Sequence, residues 1–226
     1  MRGVMVCVVA SLGCGSVKNS PADASMVADS AGDAAGCQPK VLLVGGTDIA
    51  PQGWATVMQP PASVTYGPDY VHLQTSTTTM ASTSGQLLLN YPGALEIGKP
   101  FKLQVVMLVE SVNPHNQFDS AAAIMGSFTP PFGADNDRNQ MIYLDSGKIG
   151  WADDIQSFTV SVVNNTYHTY ELSVDAANVA QVSIDGTPAL IRNGFVFNGA
   201  IAIGDQTNDA NVDSVLRIRS VTKLCP

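Results

Sequence analysis

Residues 166–186, TYHTYELSVDAANVAQVSIDG, alternate polar and apolar side chains with a period of two in two successive runs. In the first run Tyr170, Leu172 and Val174 share one face, and Thr169, Glu171, Ser173 and Asp175 share the other. In the second, Ala180, Val182 and Ile184 oppose Gln181, Ser183 and Asp185. A pleated strand puts alternate residues on opposite sides, so the segment predicts two half-buried antiparallel strands. Asp185-Gly186 adds a hairpin turn, because glycine accepts a positive φ. Further strand-like runs lie at 40–44, 56–58, 70–74, 86–90, 101–110, 121–128, 139–145, 149–151, 158–163, 199–203 and 215–224. Turn residues separate them, among them Pro60-Pro61, Tyr91-Pro92-Gly93, Asn113-Pro114 and Pro130-Pro131. No run has the period of an amphipathic helix, and many short strands indicate a sandwich or barrel. The run 101–110 is apolar on one face (Phe101, Leu103, Val105, Met107, Val109) and partly apolar on the other (Val106, Leu108). A strand buried on both sides sits centrally, which favours two packed sheets.

The net charge of −8, with only eleven Lys and Arg, argues against nucleic acid as a partner. Four cysteines fall into two groups. Cys37 and Cys225 bracket everything that looks folded, and pairing the last strand with the strand after Cys37 would bring them together. A disulfide there would close so long a loop that the chain-entropy account assigns it about 5 kcal/mol at most. It needs an oxidising compartment; the alternative is two unrelated thiols.

Residues 1–14, MRGVMVCVVASLGC, carry one basic residue, Arg2, before an apolar run too short to span a bilayer. This pattern is that of a signal peptide. Its end, Ser11-Leu12-Gly13-Cys14, resembles the lipobox of bacterial lipoproteins. The resemblance implies that Cys14 is acylated and becomes the first residue after cleavage. Gly15 behind it implies, by the same analogy, the outer membrane. A lipid anchor would then be the protein's only membrane contact, and plain secretion is the alternative. Residues 15–36 are rich in Ala, Ser and Asp and too poor in apolar surface to pack, as a disordered flexible tether requires. The domain expected to fold is 37–226.

Three stretches carry a second resemblance: Tyr167-His168-Thr169-Tyr170-Glu171-Leu172-Ser173-Val174-Asp175, Val182-Ser183-Ile184-Asp185-Gly186, and Ile201-Ala202-Ile203-Gly204-Asp205-Gln206-Thr207. They resemble the concanavalin A-like lectin/glucanase domains of the laminin-G-like or pentraxin-like kind. The resemblance implies an all-β, two-sheet antiparallel jelly-roll sandwich from about 37 to 225, with recognisable text over 167–219. His168 shares parity with Tyr170 and Leu172, so it is expected inside as a hydrogen-bonded structural residue.

The family includes glycanases, whose paired carboxylates stand on one strand as E-x-D-x-x-E. Here the three glutamates, Glu96, Glu110 and Glu171, have no acidic residue two positions away. Serine-hydrolase, zinc and phosphate-loop motifs are missing too. No catalytic residue is assigned. Calcium is conceivable at two clusters, residues 135–139 and the set Asp205, Asp209, Asn211 and Asp213; the alternative is ordinary polar turns. Around a hairpin tip at Ser146-Gly147, parity puts Ile142, Leu144, Ile149 and Trp151 on the core face, and Tyr143, Asp145 and Lys148 on the other. Tyr143 is thus the expected exposed aromatic platform, rimmed by Asp145, Asn113, His115, Asn116, Phe118, Asp119, Phe132 and Asp135. The sequence therefore reads as a non-catalytic surface module that binds a glycan. The alternatives are an adhesion module binding a surface protein and an atypical glycoside hydrolase. No cofactor is required, and the sequence assigns no oligomeric state.

Overall fold

Among the described residues, fifteen strands follow one another. They are β1 (Lys40–Val44), β2 (Ala55–Met58), β3 (Ser63–Tyr66), β4 (Val71–Gln74), β5 (Leu87–Tyr91), β6 (Phe101–Val112), β7 (Ala123–Met125) and β8 (Ile142–Asp145). Then come β9 (Lys148–Trp151), β10 (Ser157–Thr159), β11 (His168–Val174), β12 (Ala180–Ile184), β13 (Thr187–Arg192), β14 (Ile201–Asp205) and β15 (Ser214–Leu224). The computed structural model describes residues 37–76, 85–129, 138–209 and 211–226. The expected signal segment with Cys14, the expected tether, Phe132 and Asp135 lie outside the described residues. Cys37–Pro226 is one compact unit.

One sheet runs β13-β12-β11-β6-β15-β4-β3, with β1 joined to β15 beside β4. The other runs β10-β9-β8-β7-β14-β5-β2. All pairs of neighbours are antiparallel. The alternation seen in the sequence sets the register. Leu172 stands opposite Leu103 on β6 and Val182 on β12, and Val174 stands opposite Phe101 and Ala180. These residues face Leu87, Leu89, Ile124, Ile142, Leu144, Ile149, Trp151, Ile201 and Ile203 of the other sheet, and together they form the buried core. Burial of this apolar area is the main force holding the sheets together.

The ends meet as expected. Lys40 pairs with Lys223, and Cys37 is joined to Cys225 with the Cα atoms 5.6 Å apart. Asp185 and Gly186, with φ of 50° and 78°, form the two-residue turn between β12 and β13. His168 is buried and hydrogen-bonded, its Nδ1 lying 2.6 Å from Asp185 Oδ2.

Two strands were not expected. In β3, SVTY, no residue is buried, so it offers little apolar signal. β13 contains Pro188, which argues against a central strand and fits the sheet edge that β13 occupies. Conversely, the run 158–163 is a strand only to Thr159; beyond it Val160 and Val162 donate to the carbonyls of Gly147 and Ser146 in the neighbouring turn.

The outer face of the seven-stranded sheet is covered. Leu88, Ala123, Met125 and Ala202 point away from the main core, yet they are buried with Phe128, Met141, Ala152 and Ala200 in a second, smaller cluster. All four residues of β8 are buried. This corrects the expectation for Tyr143. It does point to the outer face, but it is 0% exposed. Parity gave the face correctly; it could not reveal that loops cover that face. Gly150 stands opposite Tyr143, and a Cβ there would lie 2.5 Å from the Tyr143 hydroxyl. The glycine leaves room for the ring.

Candidate functional site

Residues 113–120 leave the end of β6 and fold back over β8. The turn is closed by a reciprocal pair: Asn116 N–H donates to Asp119 O (3.0 Å), and Asp119 N–H donates to Asn116 O (2.9 Å). Phe118 lies inside it with φ of 66°. That left-handed conformation is rare for an aromatic residue. It sends the Phe118 N–H to Ala152 O (2.8 Å). The Phe118 carbonyl accepts from Arg138 Nε (2.9 Å) and Gln206 Nε2 (3.0 Å).

A polar cleft opens beside this turn. Its volume is about 410 Å³, and Gln59, Gln86, Asp119, Arg138, Gln206, Thr207, Asn208 and Asp209 line it. Asp119 Oδ1 accepts from Gln206 Nε2 (2.8 Å) and forms an ion pair with the Arg138 guanidinium. Gln86 Nε2 donates to Gln206 O (2.8 Å). Thus the cleft is framed by carboxylate, guanidinium and amide groups already fixed by one another. Such planar groups present donors and acceptors in pairs.

Behind it lies Asp205, the last residue of β14, fully buried. Burial pushes its carboxyl well above the usual carboxylate range; the Thr207 N–H opposes this, and the charges of Asp213 and Asp119 reinforce it.

On the other flank His115 is held between two carboxylates. Its Nδ1 lies 2.8 Å from Asp145 Oδ2 and its Nε2 2.9 Å from Asp154 Oδ1. Its ring stacks on Tyr143, with centroids 3.5 Å apart and planes 13° apart.

The expected residues are thus partly gathered. Asn116, Phe118 and Asp119 form the turn at the cleft. Asp145 is buried and binds His115, and Tyr143 supports that histidine from inside. Of the set proposed for calcium, Asp205 and Asp213 are buried while Asp209 and Asn211 are exposed. Among the described residues no group of three or more His, Cys, Asp or Glu side chains is placed to hold a metal ion. Gln59, Gln86 and the roles of Gln206 and Arg138 were missed. A signal existed: Gln86 immediately precedes β5 and Gln206 immediately follows β14, and the two strands pair with Leu87 opposite Asp205. Knowing that pairing would have placed the two amides together.

A larger hollow, about 560 Å³, lies on the outer face of the eight-stranded sheet beside Lys102, Glu171, Gln181 and Ser183. Its acid is already engaged, with Lys102 Nζ 2.9 Å and Gln104 Nε2 3.0 Å from Glu171.

Two antiparallel sheets packed face to face in this order make the fold a concanavalin A-like jelly roll. Solved structures share it. The conserved carbohydrate esterase of Shiga toxin-encoding bacteriophage phi24B matches with a TM-score of 0.56 and 16% identity, over 84% of this chain and 100% of that one. The exoplasmic/lumenal domain of VIP36, in its Ca2+/Man2-bound form, matches with a TM-score of 0.52 and 11% identity, over 76% of this chain and 81% of that one. The alginate lyase AlgAT5 of polysaccharide lyase family 7 matches with a TM-score of 0.50 and 11% identity, over 76% and 95%. No protein-family profile and no curated protein sequence matches the chain.

Proposed function

We propose that the protein is a non-catalytic carbohydrate-binding module whose glycan seat is the cleft between Asp119, Arg138, Gln86 and Gln206. One observation carries the reading: paired carboxylate, guanidinium and amide groups converge on a cleft of about 410 Å³. That is the size range of small-ligand sites, and side chains of this kind can engage neighbouring hydroxyls on a sugar ring. Arg138 is neutralised by Asp119, and Asp209 adds negative charge. The cleft therefore favours a neutral glycan over a uronate or sulfate. The fold is compatible, since it is shared by a mannose-bound domain and by enzymes named for carbohydrate and alginate chemistry. The first fourteen residues support display at the cell envelope through a lipid on Cys14, and the Cys37–Cys225 pair supports an oxidising location.

A glycan array followed by calorimetry tests the proposal. Neutral oligosaccharides are expected to bind, and Gln206→Ala and Asp119→Ala are each expected to weaken binding on the order of tenfold, the loss of one or two hydrogen bonds. Binding unchanged in both variants, or turnover of the same sugars, would reject it.

A further inference from the structure

Histidine 115 is held in a way that fixes its charge. Both ring nitrogens face carboxylate oxygens at hydrogen-bond distance, Asp145 on one side and Asp154 on the other. A carboxylate only accepts, and a neutral imidazole donates from only one nitrogen. The two contacts are therefore satisfied together only by the doubly protonated ring. The ring is also enclosed: its side chain is 7% exposed and its face lies on Tyr143. Its own backbone N–H donates to the second oxygen of Asp145 (2.9 Å).

These contacts tie the loop to two separate elements. Asp145 ends β8, and Asp154 lies in the turn after β9. Four residues beyond His115 stands Asp119, and between them Phe118 hydrogen-bonds the same turn through Ala152. The loop that walls the cleft is thus tied to the turn after β9 by the Phe118 N–H and by the imidazolium, in addition to the His115 N–H bond to Asp145 and the contacts of Arg138 and Gln206 with Phe118 and Asp119. We infer that His115, in its charged form, is the positioning residue that sets Phe118 and Asp119 at the cleft. This rests on the reading of that cleft as the ligand seat.

The facing charges agree among the described residues. They are Asp145, Asp154 and Tyr143, with Lys148 Nζ 3.9 Å from Asp145 Oδ2 and 5.4 Å from the centre of the Tyr143 ring. Burial alone would push the imidazole pKa down; hydrogen bonds and charge from Asp145 and Asp154 outweigh it, and the value stands above the ordinary 6.5. A folded pKa above the unfolded one means the stabilisation is full below 6.5 and is lost as pH rises through the folded value. On losing its proton the ring presents a lone pair to one carboxylate. Asp154, 47% exposed, is the partner free to turn to water, and the loop then loses its side-chain tie to the turn.

The test uses the full chain and three readouts across about pH 6 to 9, the range in which a histidine of raised pKa changes charge. They are NMR titration of the ring nitrogens of His115, hydrogen exchange at Phe118 and Asp119 corrected for its intrinsic pH dependence, and binding of whichever neutral oligosaccharide the array identifies. His115 is expected to titrate above its ordinary value, and loop protection is expected to fall with the same midpoint. Affinity is expected to fall on the order of tenfold per pH unit above that midpoint, because only the protonated form is competent. Asp154→Asn is the deciding variant. Its φ of 61° suits asparagine, and an amide there can donate to a neutral imidazole. In that variant the midpoint should drop and protection and affinity should stay level across neutral pH; His115→Gln should lower both at every pH. A normal or low His115 midpoint, or loop protection in Asp154→Asn that still falls as in the native protein, would overturn the proposal. If no glycan binds, the site reading fails by itself, while titration and exchange still decide whether His115 holds the loop.

Discussion

Asp205 closes β14 with its carboxyl inside the protein, where the Thr207 N–H accounts for one oxygen at 2.9 Å. Burial raises its pKa well above 3.8, so the folded chain holds a proton that the unfolded chain releases. The sign follows directly. The fold is favoured fully below pH 3.8 and loses that increment as pH rises towards the folded value, because ionisation then stabilises only the unfolded state. Asp205→Asn keeps the shape and the acceptor for Thr207 while removing the titration. The variant should match the native protein near pH 4 and become the more stable of the two above neutrality, as read from denaturation midpoints across pH. Equal destabilisation at both ends would show that the carboxyl contributes independently of pH, against a raised folded pKa. The sequence marked Asp205 as a candidate ligand because acidic residues recur around it. Nothing in that spacing distinguishes an acid turned to solvent from one enclosed behind a strand end. Tyr143 failed for a related reason: its parity was legible, and the covering of its face was not, because the residues that cover it come from distant loops.

Among the elements, β8 and β9 show how much a strand pattern conveys. Alternation located both strands, their turn at Ser146-Gly147 and the inward set Ile142, Leu144, Ile149 and Trp151. It could not explain Gly150, whose meaning lies across the ladder. The Tyr143 ring occupies the space that a side chain at 150 would need. Gly150→Ala should therefore cost about 1–3 kcal/mol, the usual penalty of overpacking a filled site. Tyr143→Leu should cost a comparable amount through the cavity it leaves. Combined, the two changes should cost less than their sum, because the smaller side chain makes room for the methyl group. Chemical denaturation of the four proteins in that cycle gives the coupling directly, and strict additivity would show that the tyrosine does not fill the space above the glycine. The strands that escaped notice, β3 and β13, lie towards sheet edges. There one neighbour is missing and little side-chain burial is required, so selection for apolar alternation is weak.

At the scale of the whole molecule, the first and last strands close the domain. Among the described strands β1 pairs only with the end of β15, over Lys40 to Lys223 and Val44 to Ser220, and Val41 and Val44 are exposed on it. Its ladder is short and buries little besides Leu42 and Leu43. Held by these contacts alone, β1 would fray with an opening free energy well below that of the central strands. The Cys37–Cys225 bond, spanning 188 residues, constrains both the fraying end and the unfolded chain. A double Cys37→Ser, Cys225→Ser variant should lose about 2–5 kcal/mol, within the range for native disulfides. Its hydrogen-exchange protection should fall first in β1 and the last residues of β15, with β6 and β11 exchanging only by global unfolding. The contrast matters because β6 passes directly into the loop that carries His115 and Asp119. If the cleft depends on the central strands and not on the stapled ends, the variant should bind its ligand with unchanged affinity at temperatures where it remains folded. Affinity that falls in step with β1 protection would instead mean that the terminal strands set the geometry of the cleft.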